Sequence, residues 1–88
     1  MIKRERVVRS VIKQGVEKIK FDYPRGTRIM LIKMGDDPRP IRPMTRGTVD
    51  FVDDIGTVHC HFDNGRFMGL IIGVDDFRKL TKQEIEAE

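Results

Sequence analysis

The run from Gly47 to Gly65 constrains this chain most, because it spells out two consecutive hairpins together with both of their turns. Val49, Phe51, Val58, Cys60 and Phe62 fall on alternate positions, the period of a half-buried strand. Asn64-Gly65 suits a two-residue type I′ turn, which needs two positive φ angles. Asp53-Asp54-Ile55-Gly56 supplies the other turn. Closing the Asn-Gly turn between Asp63 and Arg66 pairs Phe62 with Phe67, Cys60 with Gly69 and Val58 with Ile71, all toward the core. In the first hairpin the same reasoning sets Phe51 opposite Val58 and Val49 opposite Cys60. Phe51, Phe62 and Ile71 are then expected inside. Met68, Leu70 and Ile72 are expected on the outer face, where they need cover from the N-terminal helix or, alternatively, from a partner or a second copy of the chain.

The flanking segments complete an α+β domain. Val8, Val11, Ile12, Val16 and Ile19 follow the three-and-four spacing of one helix face over residues 3–20, with Arg6, Arg9, Lys13 and Lys20 on another. Tyr23-Pro24-Arg25-Gly26 ends that helix. A first strand is expected over 27–34, with Ile29 and Leu31 on one side. Gly35 to Arg46 follows as a loop, since Pro38, Pro40 and Pro43 prevent regular pairing. Strands near 47–53, 57–63 and 66–72 form a meander, and a fifth runs from Asp76 to Leu80. Thr81 and Glu84 have capping-box spacing, which predicts a short closing helix. Residues 1–22 are thus expected as a basic amphipathic helix packed on a β domain over residues 23–88.

Eighty-eight residues make one small domain with a limited core. A single cysteine excludes an intramolecular disulfide and fits a reducing cytosol. The basic N-terminus would suit a secretory leader, but Arg6, Arg9, Lys13 and Gln14 interrupt its apolar positions. No run has the length of a membrane span, so a cytoplasmic protein without membrane contact is expected. The net charge is +3, yet residues 1–20 carry seven basic and two acidic residues while residues 21–88 carry ten and twelve. The positive excess lies at the N-terminus and marks that segment for an anionic partner, the alternative being a solvated helix face.

Tyr23-Pro24-Arg25-Gly26-Thr27-Arg28-Ile29, Gly47-Thr48-Val49, Val52-Asp53-Asp54-Ile55-Gly56, Asp63-Asn64-Gly65 and Gly73-Val74-Asp75-Asp76-Phe77 occur in that order. This order over residues 21–80 resembles a small family of bacterial and phage proteins known only as a domain of unknown function. Phe62 stands where that family usually has tryptophan, and Thr45-Arg46 replaces a glycine-containing entry to the strand. The resemblance implies a five-stranded antiparallel SH3-like barrel carried on phages and mobile elements. It brings no activity with it.

Chemistry is sparse. His59 and His61 share one side of a strand, with Asp50 expected across from His59. Solvent-facing histidines paired with Asp50 account for them better than a metal does, because Cys60 points inward. Asp36-Asp37, Asp53-Asp54 and Asp75-Asp76 sit at turns, where Asp accepts backbone N–H bonds, rather than forming a hydrolytic pair. There is no phosphate loop and no nucleophile elbow, Ser10 is the one serine, and Cys60 is expected to be inert. No enzymatic activity, cofactor or metal is expected.

A binding protein is the expectation. Arg6, Arg9, Lys13, Lys20, Arg39, Arg42 and Arg46 would supply charge to nucleic acid or a nucleoprotein, and Tyr23 a stacking or packing contact. Exposed aromatics for stacking are expected only at Tyr23, Phe67 or Phe77. The alternative is a protein-directed inhibitor or adaptor, for example one that blocks a host nuclease, using Met68, Leu70 and Ile72 as its interface. Sequestration of a small nucleotide is a third reading. A homodimer is compatible with any of them.

Overall fold

The computed structural model describes residues 15–88. The expected helix is present over residues 15–22, here α1, and ends at Tyr23-Pro24 as its sequence predicts. Arg6, Arg9 and Lys13 lie outside the described residues. Then come β1 (Arg28–Lys33), β2 (Arg46–Val52), β3 (Val58–Phe62), β4 (Phe67–Leu70), β5 (Asp76–Lys79) and α2 (Lys82–Glu86). These are the strands and closing helix expected from pattern. Thr81 caps α2 in a full capping box: its side chain accepts from the Glu84 N–H, while Glu84 accepts from the Thr81 N–H. No helix among the described residues is long and apolar enough to cross a membrane.

The five strands form one antiparallel sheet in the order β4-β3-β2-β1-β5. The expected barrel does not close. Closure needs a ladder between the first and last strands of the order, and here β4 and β5 are free edges of four residues each. The chain between them folds on itself instead. The Asp75 carboxylate accepts from the Ile71 N–H at 2.8 Å and from the Gly35 N–H at 2.8 Å, which ties that turn to the start of the long loop.

Two local features shift the register away from strict alternation. The 62–66 turn is not type I′: Gly65 has φ +90°, and Asn64 is not among the residues with positive φ. Phe62 and Arg66 close it, the Phe62 N–H donating to the Arg66 carbonyl at 2.7 Å around a three-residue loop. A turn ending in one left-handed glycine is the usual three-residue hairpin solution. The extra loop residue moves every β4 partner by one, so Cys60 pairs with Met68, His59 with Gly69 and Val58 with Leu70. In the other hairpin, β2 bulges at Asp50. Val49 pairs with Cys60 as expected, but Phe51 pairs with His59 and Val52 with Val58.

These shifts correct the expected core. Ile29, Leu31, Val49, Val58, Cys60 and Phe62 are buried, and so are Leu70 and Ile41. Phe51 is 54% exposed and Ile71 49%, so of the three expected interior anchors only Phe62 is inside. Leu70 belongs to the core and Met68 packs against it, leaving only Ile72 of the expected outer trio exposed. The helix therefore does not cover an outer patch of those residues. In α1, Val16 is buried and Ile19 packs on the core, both reaching Gly56 of the 53–57 turn. Ile41, in the proline-rich loop, was not expected in the core; it is buried in the same cluster as the strand residues and so anchors that loop.

The observed register makes a sharp stability test. Leu70→Ala should cost roughly 2–5 kcal/mol, as for other fully buried leucines, whereas Ile71→Ala should stay within about 1 kcal/mol. Urea unfolding of both variants checks this, and the opposite ranking would restore the alternating register.

Candidate functional site

The bulge puts Asp50 and Phe51 on the same side of the sheet, the side away from the core. Asp50 Oδ1 accepts from His61 Nδ1–H at 2.7 Å. Phe51 stacks on the His59 ring with centroids 4.4 Å apart and planes 11° from parallel. His59 Nε2–H in turn donates to Asp53 Oδ2 at 2.8 Å. Each imidazole therefore has its own carboxylate, in place of the shared Asp50 expected across from His59. Phe67, 73% exposed, leans over His61 with centroids 6.1 Å apart. The result is a row of four rings on β2, β3 and β4.

Gly69 shapes the floor of this row. A Cβ there would lie 2.6 Å from Thr57 Cγ2, a clash, and 3.6 Å from the His59 ring, an ordinary contact, so any side chain would displace Thr57. A cleft of about 230 Å³ opens between Phe51, His59 and Phe67, floored by Gly69 and flanked by Asp50. A second cleft of about 350 Å³ lies beyond Phe51, lined by Asp50, Tyr23, Pro24, Arg25 and Lys20. Asp50 and Phe51 line both, so they stand between the two.

The arginines divide by what they hold. Arg28 donates to both oxygens of Asp63, at 2.9 and 2.8 Å, to Thr48 Oγ1 at 3.0 Å, and to Glu88. It thereby joins β1, β2, the 63–65 turn and the C-terminus, a role its sequence position did not announce. These bonds hold Asp63 and Glu88 below the usual carboxylate range. Arg78 forks onto Glu84 at 2.7 and 2.9 Å, and with the Thr81 N–H it brings that carboxyl down to about 2. Arg66 donates to the Arg39 and Pro40 carbonyls at 2.8 and 3.4 Å and so clamps the long loop. Met44, with φ +69°, closes that loop by donating its N–H to the Leu31 carbonyl at 2.7 Å.

The residues expected to bind a partner are distributed unevenly. Arg46 is spent on α2: it donates to the Glu84 carbonyl at 3.3 Å and approaches the Glu84 carboxylate at 4.0 Å. Lys20 pairs with the exposed Asp54 at 3.1 Å. Tyr23 is a packing residue, its ring 5.5 Å from Phe77 and its hydroxyl pKa raised by burial and then by Asp22. Lys79 Nζ lies 5.2 Å from the same ring. Arg39 and Arg42 are exposed on the clamped loop, and among the described residues neither guanidinium has a carboxylate partner. A cleft of about 370 Å³ beside them includes Lys33 and Arg42 but also Asp36 and Asp37. The protein-directed reading loses Leu70, which is buried.

The paired aspartates behave as turn residues. Asp53 Oδ1 accepts from the Ile55 and Thr57 N–H groups, Asp37 from the Arg39 N–H, and Asp75 from Ile71 and Gly35. The bond from His59 is the largest of the effects holding Asp53 below its ordinary range. Burial pushes the Cys60 thiol up to about 12, which leaves it protonated and unreactive. Rings and carboxylate acceptors lie together on this side of the sheet.

The described residues form a small α+β unit, an open five-stranded antiparallel sheet with one ring-bearing side. The model of the family described as a domain of unknown function (DUF4314) matches residues 12–80, and the chain belongs to that family. No curated protein and no solved structure matches the chain.

The ion pairs set the acid response. A carboxyl depressed in the folded state stabilises it fully above the unfolded pKa, and the contribution disappears as pH falls through the folded value. Melting temperature should therefore drop as pH falls from about 4.5 toward 2, the window between the ordinary and the folded value of Glu84. Glu84→Gln should melt lower than the parent at pH 7 and show a shallower fall across that window. Thermal melts across a pH series check both.

Proposed function

We propose that this chain is a non-catalytic, cytoplasmic binding protein of a phage or mobile element, and that its ligand is nucleic acid. The observation that carries this reading is the division among the arginines. Arg28 and Arg78 are consumed by carboxylates, Arg46 by the Glu84 carbonyl with its carboxylate nearby, and Arg66 by loop carbonyls. Arg39 and Arg42 are exposed on a loop that Arg66, Ile41 and Met44 hold in place. Exposed cations on a pre-ordered loop suit a phosphate backbone, because little conformational freedom is lost when the anion arrives. Arg6, Arg9 and Lys13 add to the positive charge of the N-terminal segment in the sequence. Nothing in this set reads base edges in a duplex groove, so the contact to the backbone is independent of sequence.

A filter-binding titration across a salt series tests the proposal. Affinity should fall steeply as salt rises, and the double variant Arg39→Ala, Arg42→Ala should reduce the log–log slope by about 1–2. Absent or salt-independent binding would refute the nucleic-acid reading.

A further inference from the structure

We propose that the side of the sheet away from the core is a site for unpaired nucleobases, and that Asp50 makes it prefer bases carrying an exocyclic amino group. The inference rests on the nucleic-acid reading and identifies which form of nucleic acid the chain takes. Phe51, 54% exposed, and Phe67, 73% exposed, present ring area to solvent from neighbouring parts of one surface. Both are braced from beneath by imidazoles that are themselves tied to carboxylates. Rings held this way lose little freedom when another ring stacks on them, which is how sheet surfaces hold single strands. Paired bases inside a duplex do not offer those faces.

The polar groups around the rings narrow the ligand. Each imidazole gives one ring N–H to a carboxylate, His61 through Nδ1 to Asp50 and His59 through Nε2 to Asp53. Asp50 Oδ2 makes no hydrogen bond among the described residues, and Asp50 borders both clefts. The carboxylates beside the rings, Asp50 and Asp53, are acceptors. A phosphate, itself an acceptor, has no match there. The amino groups of cytosine, adenine and guanine are donors and do match, as carboxylates do with cytosine N4 elsewhere. The clefts, at about 230 and 350 Å³, fall near or below the roughly 300–1,000 Å³ of drug-sized pockets. That size suits one planar ring in each. Arg25 and Lys20 also line the second cleft and would meet the strand's phosphates there. The Lys20 pair with Asp54 is exposed and readily exchanged for a phosphate.

The test uses the full chain and fluorescence anisotropy with short labelled homopolymers of dA, dC and dT, alongside a duplex. The single strands of dA and dC should bind more tightly than dT and more tightly than the duplex. Phe51→Ala and Phe67→Ala should each weaken single-strand binding by about tenfold, and melting curves should show both variants folded. Asp50→Asn should erase the preference for dA and dC over dT while the strands still bind. Equal affinity for dA, dC and dT would overturn the role of Asp50. Unchanged binding in Phe51→Ala and Phe67→Ala, with loss in the Arg39→Ala, Arg42→Ala variant, would overturn this site and leave the loop reading standing. Failure of every oligonucleotide would remove both. A dimer in sedimentation that Phe51→Ala breaks, with oligonucleotide binding unaltered, would assign the surface to a second copy and overturn the proposal.

Discussion

The bulge at Asp50 is the constraint on which this architecture turns. One extra residue between Val49 and Phe51 breaks the alternation of β2, so Val49 and Val52 both reach the core side while Asp50 and Phe51 share the other. The same displacement brings Asp50 within hydrogen-bond distance of His61 and lays Phe51 flat on His59. Without it, Phe51 would compete with Val58 and Leu70 for interior space, and the outer side would be a plain polar surface. A bulge re-aims side chains at modest cost to the ladder, and the cost here is offset by two carboxylate–imidazole bonds and a ring stack.

Among the described residues the central cluster has eight buried side chains, a small core for a chain this size, and polar ties add to it. Arg28 is central to them, since one guanidinium reaches β2, the 63–65 turn and the last residue of the chain. Arg78 and Arg46 converge on Glu84 and seat α2 against the sheet. Individually, exposed ion pairs contribute little, but forked arginines that share partners have the geometry in which networks matter. These commitments also decide which cations remain for a partner. Four of the arginines have structural work, and those on the long loop do not.

The sequence was legible wherever a residue's role is local. Thr81 and Glu84 announced the capping box, and the paired aspartates announced their turns, because both motifs bond within a few residues. Val58, Cys60 and Phe62 were correctly read as interior, and the resemblance to a domain of unknown function agrees with the family to which the chain belongs. Ile41 was hidden because its proline-flanked context reads as loop and carries no period. Arg28 was hidden because its partners lie 20, 35 and 60 residues away. The ring-bearing side was missed for a sharper reason: Phe51 and Ile71 fit an alternating pattern that the strands do not follow.

Strand positions, turns and the closing helix were set by neighbours along the chain, since backbone bonding in a turn or cap depends on a handful of adjacent residues. Sheet closure, the side on which each ring emerges and the partner of each charge depended on how two hairpins register against one another. That registry hinges on one additional residue in β2 and one in the 62–66 turn. Each moves later side chains to the opposite side, because strand side chains alternate with a period of two. No pattern of hydrophobic residues encodes such an insertion; it is decided by which side chains the tertiary packing can bury, Leu70 and Ile41 rather than Phe51 and Ile71.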